Sequence, residues 1–273
     1  MADIARFKAI RPIRDKVHLV ATRPYYSYKK NVLKAKLQDN PYTFLRIINP
    51  EFNSPVKTKA NSDRRFKLVS QRYHEFIEKN ILIQDQQAKL YLYRQSKGEK
   101  SSVGVIGGAS VKEYLNDDIK RHEATLTSRE EIFTRYLDIV GYNAEPVLIS
   151  YKGNSDINSF ISDLVGSRPE YEFSTTDLIK HELWILEDDE ADKFEQLFKQ
   201  IPCTYIADGH HRSASSARLF ESGKNKSFNA RYFLSYFVEQ DQLQILEFNR
   251  LVKSLNGLSK NEFIDRVREI GEL

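Results

Sequence analysis

The stretch TYIADGHHRSASSAR, Thr204 to Arg218, decides how the rest of this chain is read. A short apolar strand over Pro202 to Ala207 runs into Asp208-Gly209, which breaks it. His211 to Glu221 then reads as a helix rich in alanine and serine, small enough for close approach to other backbone. Gly209 allows a tight turn and a near approach of ligand to main chain. A helix N-terminus offers unbonded N–H groups and the positive end of a dipole, which suits phosphate. His210, His211, Arg212 and Ser213 add donors there, and a guanidinium can grip phosphate through two parallel hydrogen bonds. Asp208 stands where a strand ends, a usual place for a catalytic or metal-binding carboxylate. An isolated Asp-Gly turn reads as a simple helix cap. Two histidines and an arginine packed into the same turn favour a site.

Around this turn the chain reads as α+β, mixed sheets with packed helices. Ile4 to Ile13 reads as a strand, Ser27 to Asp39 as a Lys-rich surface helix, and Tyr42 to Ile48 as a strand. From Asp63 to Asn80, Phe66, Val69, Tyr73, Phe76 and Ile77 recur at helical spacing. Leu90–Arg94 and Ser101–Ala109 form a strand pair about Lys97-Gly98. Ser110 with Glu113, and Thr127 with Glu130, signal capping boxes, the second opening a helix with Ile132, Tyr136, Ile139 and Val140 on one face. Pro146–Tyr151, Tyr171–Phe173 and His181–Leu186 read as strands, and Asp156–Val165 and Asp189–Gln200 as helices. Arg231–Val238 and Leu243–Phe248 pair as a hairpin about Asp241, and two helical pieces about Gly257 and Ser259 end the chain.

Composition narrows the function classes. The chain has 273 residues, 40% hydrophobic and 29% charged, ordinary for a globular protein. Net charge is only +4, weak for a dedicated nucleic-acid binder. Cys203 is the single cysteine, so no disulfide within the chain and no multi-cysteine zinc site can form. It reads as a strand-core residue in a reducing compartment. The longest nearly apolar run, Val103 to Val111, is too short for a membrane span, and MADIARFKAI has no signal-like apolar centre, so the expected location is the cytoplasm. Met1 is expected to be the true start. No GxxxxGK[ST], GxGxxG or GxSxG occurs, and no HExxH, so P-loop, kinase-fold, α/β-hydrolase and zincin chemistries have no motif. A zinc site from His122, His210 or His211 with Asp208 is chemically conceivable but lacks a recognised spacing.

A second segment, IKRHEATLTSREE (Ile119–Glu131), places His122-Glu123 just before a helix, among Lys120, Arg121 and Arg129. A carboxylate beside a histidine could deprotonate a hydroxyl, although a lone His-Glu step also reads as a surface turn.

With these two segments quoted, the chain resembles the bacterial domain-of-unknown-function family 1015 along nearly its whole length. The matching stretches are FKAIRPIRDKV, NPYTFLRIINPE, LYLYRQ, IKRHEATLTSREE, NAEPVLISY, HELWIL, IPCTYIADGHHRSASSAR and ARYFLSYFVEQDQLQILEFNRLVKSLNGLS. That family is similar to the ParB-like nucleotidase and sulfiredoxin superfamily, and within it to free serine kinases, through a His-Glu segment, the strand Glu145-Pro146-Val147-Leu148-Ile149, and the DGHHR turn.

The resemblance implies a ParB/sulfiredoxin-like nucleotide-binding core over residues 118–273, with an insertion around 151–202, after an N-terminal α+β region over 1–117. It implies Glu123 as general base, with His122 beside it, and Asp208 as a second essential carboxylate that orients the hydroxyl or holds a metal. Gly209, His210, His211, Arg212 and Ser213 would hold the donor phosphates. The donor would be ATP, ADP or pyrophosphate with Mg²⁺, and the acceptor a small hydroxyl compound such as free L-serine. Asn249 and Arg250 match a recurrent family motif without an assigned role. Family members are usually longer, so the resemblance implies either a truncated product or the absence of a C-terminal part. The residue after Gly209 is histidine where sulfiredoxin needs cysteine, so that chemistry is not expected. No helix-turn-helix pattern follows Arg218, so direct DNA reading is disfavoured. The rival expectations are a ParB-like nucleotide-binding regulatory module without kinase activity, and a metal-dependent hydrolase built on His122, Asp208 and His211.

Overall fold

A computed structural model describes residues 2–224, 227–245, 249 and 251–271. The chain divides into two compact units, Met1–Leu243 and Gln244–Leu273. Along the first unit come β1 (Ile4–Ala5), β2 (Ile10–Pro12), α1 (Val17–Val20), α2 (Lys30–Asp39), α3 (Leu45–Ile48), α4 (Asp63–Glu78) and β3 (Leu82–Gln84). There follow β4 (Tyr91–Lys97), β5 (Lys100–Ser110), α5 (Val111–Leu115), β6 (Ile119–Lys120), α6 (Thr127–Val140), β7 (Val147–Tyr151) and α7 (Ser155–Val165). The unit finishes with β8 (Tyr171–Ser174), β9 (Lys180–Ile185), α8 (Asp188–Phe198), β10 (Thr204–Asp208), α9 (His210–Glu221) and β11 (Tyr232–Glu239). The second unit contains α10 (Lys260–Arg268).

The fold is α+β. Its centre is a nine-stranded mixed sheet in the order β6-β10-β7-β11-β5-β4-β9-β8, with β1 also on β5. β2 and β3 form a separate two-stranded sheet. The large sheet takes strands from both sides of residue 118, and β8 and β9, from within residues 151–202, extend it through β4. Two apolar clusters hold the unit together. Leu92, Val105, Ile149, Phe233 and Phe237 of the sheet join Phe160 of α7 and Phe194 and Phe198 of α8. Phe66, Val69, Tyr73 and Phe76 of α4 meet Ile132, Tyr136, Ile139 and Val140 of α6, the stripe expected from spacing. Packing on both α4 and α9 places α6 between them.

Several sequence expectations are corrected. Tyr42–Ile48 is a turn and a helix, not a strand. Asn40 accepts the Tyr42 N–H at 2.9 Å and donates to the Leu19 carbonyl at 2.7 Å, closing a turn that starts α3. Ile4–Ile13 is two strands in two sheets, because Phe7 bridges to Lys89 between them. Thr127 and Glu130 form no capping box: Leu126 caps α6, and Glu130 instead accepts the Thr125 hydroxyl. Leu243–Ile245 is not a strand, and Leu246–Phe248 lie outside the described residues. Both edges of β11 are already taken, by β7 and β5, so no hairpin partner fits there. Only one of the two final helical pieces is present among the described residues, since Asn256 and Gly257 both have positive φ, and the Ser259/Glu262 capping box starts α10 after them. Cys203 is half-buried ahead of β10, its thiol 3.4 Å from the Tyr205 hydroxyl, and is not a core residue. Among the described residues no helix is long and apolar enough to cross a membrane.

Candidate functional site

β6 and β10 are parallel neighbours, with Thr204 opposite Ile119 and Tyr205 opposite Lys120. Parallel strands deliver their C-terminal ends to the same edge of a sheet, so His122-Glu123 and Gly209-His210 emerge side by side. β7 runs antiparallel to β10, which brings its leading residues, Glu145 and Pro146, to that edge as well. The β10–β7 register slips between Ile206 and Asp208. Such a slip re-aims the side chain that follows it. Three segments distant in sequence thus converge at one sheet edge.

Gly209 caps α9 with φ 103° and ψ 26°, a left-handed conformation that favours glycine. A Cβ there would stand 2.7 Å from Nη2 and 2.9 Å from Nε of Arg212, because the guanidinium folds back over the turn. Arg212 donates to Oδ2 of Asp208 at 2.7 Å and pairs with Oε2 of Glu145 at 2.8 Å. Its Nε is buried without a partner.

His210 is 5% exposed. Its ring meets that of His122 edge to face at 4.4 Å, and its Nδ1 lies 3.5 Å from Oε2 of Glu123. Nε2 is buried and unpartnered. Burial, then His122, push the His210 pKa below its usual value near 6.5, against the pull of Glu123 and Asp208. His210 is therefore neutral at pH 7 and offers an N–H or a lone pair, not a charge. His211 lies against Phe133 of α6, ring centres 6.2 Å apart, with a buried unpartnered Nδ1. Ser213 is fully buried and donates to the His210 carbonyl at 3.0 Å, so it braces the first turn of α9 and does not face the open edge. Thr134 reaches the Ser215 carbonyl at 3.4 Å and Arg218 pairs with Glu131 at 2.9 Å, fixing α9 on α6.

Of the residues expected from sequence, Glu123, His122, Asp208, Gly209, His210 and Arg212 come together. His211 sits on the adjacent flank, and Ser213 supports from below. Glu145, named above only as the start of a strand motif and given no role, joins the site through the antiparallel β7–β10 pairing. Asn249 and Arg250 belong to the second unit, and Arg250 is outside the described residues. Among the described residues no three His, Cys, Asp or Glu side chains group closely enough to hold a metal ion by themselves. Among the described residues this edge carries three carboxylates, Glu123, Asp208 and Glu145, beside Arg212. Asp208 and Glu145 are of the donor type that could ligate a divalent cation.

A family model described as a protein of unknown function (DUF1015) matches residues 4–273. No curated protein and no solved structure matches the chain.

Proposed function

This chain belongs to the DUF1015 family, and on that premise we propose that it is a cytoplasmic phosphotransferase. It moves a phosphoryl group from ATP, ADP or pyrophosphate to the hydroxyl of a small molecule, with free L-serine as the acceptor suggested by resemblance. The core around β10 and α9 is read as ParB/sulfiredoxin-like. The observation that carries the proposal is the meeting of Glu123 with His210, whose Nε2 is buried and unpartnered, at a glycine-led helix start that also holds Arg212. Phosphoryl transfer asks mainly for positioning and charge stabilisation, and this edge has groups for both.

The donor phosphates lie at the α9 N-terminus. Arg212 turns from Glu145 or Asp208 to present two N–H groups to a phosphate oxygen pair, and Nε is already free to do so. Neutral His210 donates or accepts at Nε2 without adding charge. Glu123, 61% exposed, reaches the acceptor. The acceptor oxygen forms its bond to phosphorus as the bond from phosphorus to the leaving phosphate oxygen breaks, and the hydroxyl proton passes to Glu123. Asp208 orients the acceptor hydroxyl. Mg²⁺, held by Asp208 or Glu145 with the phosphates, supplies charge neutralisation when bound.

Calorimetric titration with ATP, ADP and pyrophosphate, each with Mg²⁺, tests the proposal. Binding of at least one donor is expected, and binding of none contradicts it. Donor binding or slow hydrolysis with no acceptor dependence would instead favour a ParB-like nucleotide switch.

A further inference from the structure

A second set of cations stands apart from this edge, in a cleft of about 470 Å³ between α2, residues 49–57 and α4. It shares no lining residue with the site described above. Lys30 and Lys34 lie one helical turn apart on α2 and both line the cleft, next to Leu33 and Leu37. Neither lysine makes an ion pair among the described residues, whereas Lys16, Lys89, Lys120 and Lys180 all do.

The opposite wall is built around a buried carboxylate. Glu51 accepts the Thr58 N–H at 2.7 Å, the Thr58 hydroxyl at 2.7 Å and Nη1 of Arg65 at 2.8 Å. The Thr58 hydroxyl, with the Thr58 N–H and Arg65, holds Glu51 ionised below the usual carboxylate range. The charge of Glu51 is thus fully engaged inside the wall. Its effect is to pin Arg65, whose Nε and Nη2 keep no protein partner among the described residues. Lys57 is pinned too, by the carbonyls of Glu51 and Phe52. One buried carboxylate needs one cation, yet four line this cleft. The excess positive charge surrounds an apolar surface from Leu33, Leu37 and Phe52.

We propose that this cleft binds a small phosphorylated molecule with an apolar body, at a site separate from the α9 edge. A planar arginine held in place by a carboxylate matches the paired oxygens of phosphate, and flexible lysines add charge around it. The leucines and Phe52 cover the apolar part. The volume lies within the range of small-ligand sites.

The test is titration of phenyl phosphate and inorganic phosphate into three proteins: wild type, Arg212→Ala, and a Lys30→Ala/Lys34→Ala double variant. Both lysines are exposed, so the double variant keeps its fold. Phenyl phosphate is expected to bind Arg212→Ala as well as wild type, at least tenfold tighter than inorganic phosphate. The double variant is expected to lose at least tenfold in that affinity. Binding that disappears in Arg212→Ala belongs to the α9 edge and overturns the proposal. Binding unchanged in the double variant, or equal for the two probes, also overturns it. Arg212→Ala weakens the α9 edge and leaves this cleft intact, whereas the lysine variant does the reverse, so failure of this proposal and failure of the phosphotransferase reading are told apart.

Discussion

Nδ1 of His210 lies 3.5 Å from Oε2 of Glu123, although the two residues belong to different strand ends. The contact exists because β6 and β10 are parallel and adjacent. A carboxylate and a buried neutral imidazole in this relation can share the handling of one proton, Glu123 on the open side and His210 on the closed side.

Replacing Glu123 by Gln removes the proton acceptor and keeps the shape. Turnover is expected to fall by about 10²–10⁴-fold, the usual worth of general-base help. Donor affinity should change little, since Glu123 is assigned to the acceptor. Activity within a few fold of wild type would remove Glu123 from that role.

Arg212 is assigned to the donor. Arg212→Lys retains the charge but loses the planar fork, and both it and Arg212→Ala should weaken donor binding, Ala by roughly tenfold or more. Calorimetry with the tightest donor reads this directly. Equal affinity in wild type and Arg212→Ala would place the phosphates elsewhere.

Gly209→Ala puts a Cβ into a backbone with φ 103° and against the Arg212 guanidinium. The guanidinium can move aside, but the backbone strain remains, about 1–3 kcal/mol. Urea unfolding should report that loss, together with weaker donor binding because Arg212 is displaced. A variant as stable as wild type would contradict the left-handed cap.

Acid should expose the buried state of His210. Its folded pKa is lowered by burial, so below about pH 6.5 the unfolded chain takes up a proton that the folded one refuses. Stability is complete above that pH and falls as pH drops, by at most about 1.4 kcal/mol per unit for one proton. His181, stacked on Phe173 and also lowered by burial, acts in the same direction. Glu113 opposes them. Burial pushes its pKa to about 7, so the folded chain binds that proton first and Glu113 adds stability as pH falls from 7 towards 4.5. The difference between wild type and His210→Gln isolates one group. Wild type should lose more Tm than the variant between pH 7.5 and 5.5. Parallel losses would mean that His210 titrates normally.

The DGHHR turn was legible because its signals are local: a strand end, a glycine, a helix start and clustered donors within a few residues. The partner strand was not. β6 is two residues long and its pairing with β10 is non-local, so His122-Glu123 was set beside the turn only through the family resemblance. Glu145 was legible only as the first residue of a strand motif, and its pairing with Arg212 was not, since nothing in its neighbours foretells an arginine brought by an antiparallel strand. The Tyr42–Ile48 error has a different source. An apolar run of that length fits helix or strand equally, and the Asn40 side-chain turn decided it. A strand next to a turn suggests a hairpin arm over Leu243–Phe248; the described part, 243–245, is not a strand, and β11 lies inside the sheet with both edges filled.

The most direct test is phosphorus NMR of the protein with Mg²⁺, L-serine and each donor in turn, run beside Glu123→Gln. The account predicts a new phosphomonoester resonance that depends on serine, appears with at least one donor, and is absent for Glu123→Gln. Donor resonances unchanged in position and intensity with every donor, or an ester that forms equally with Glu123→Gln, would contradict it.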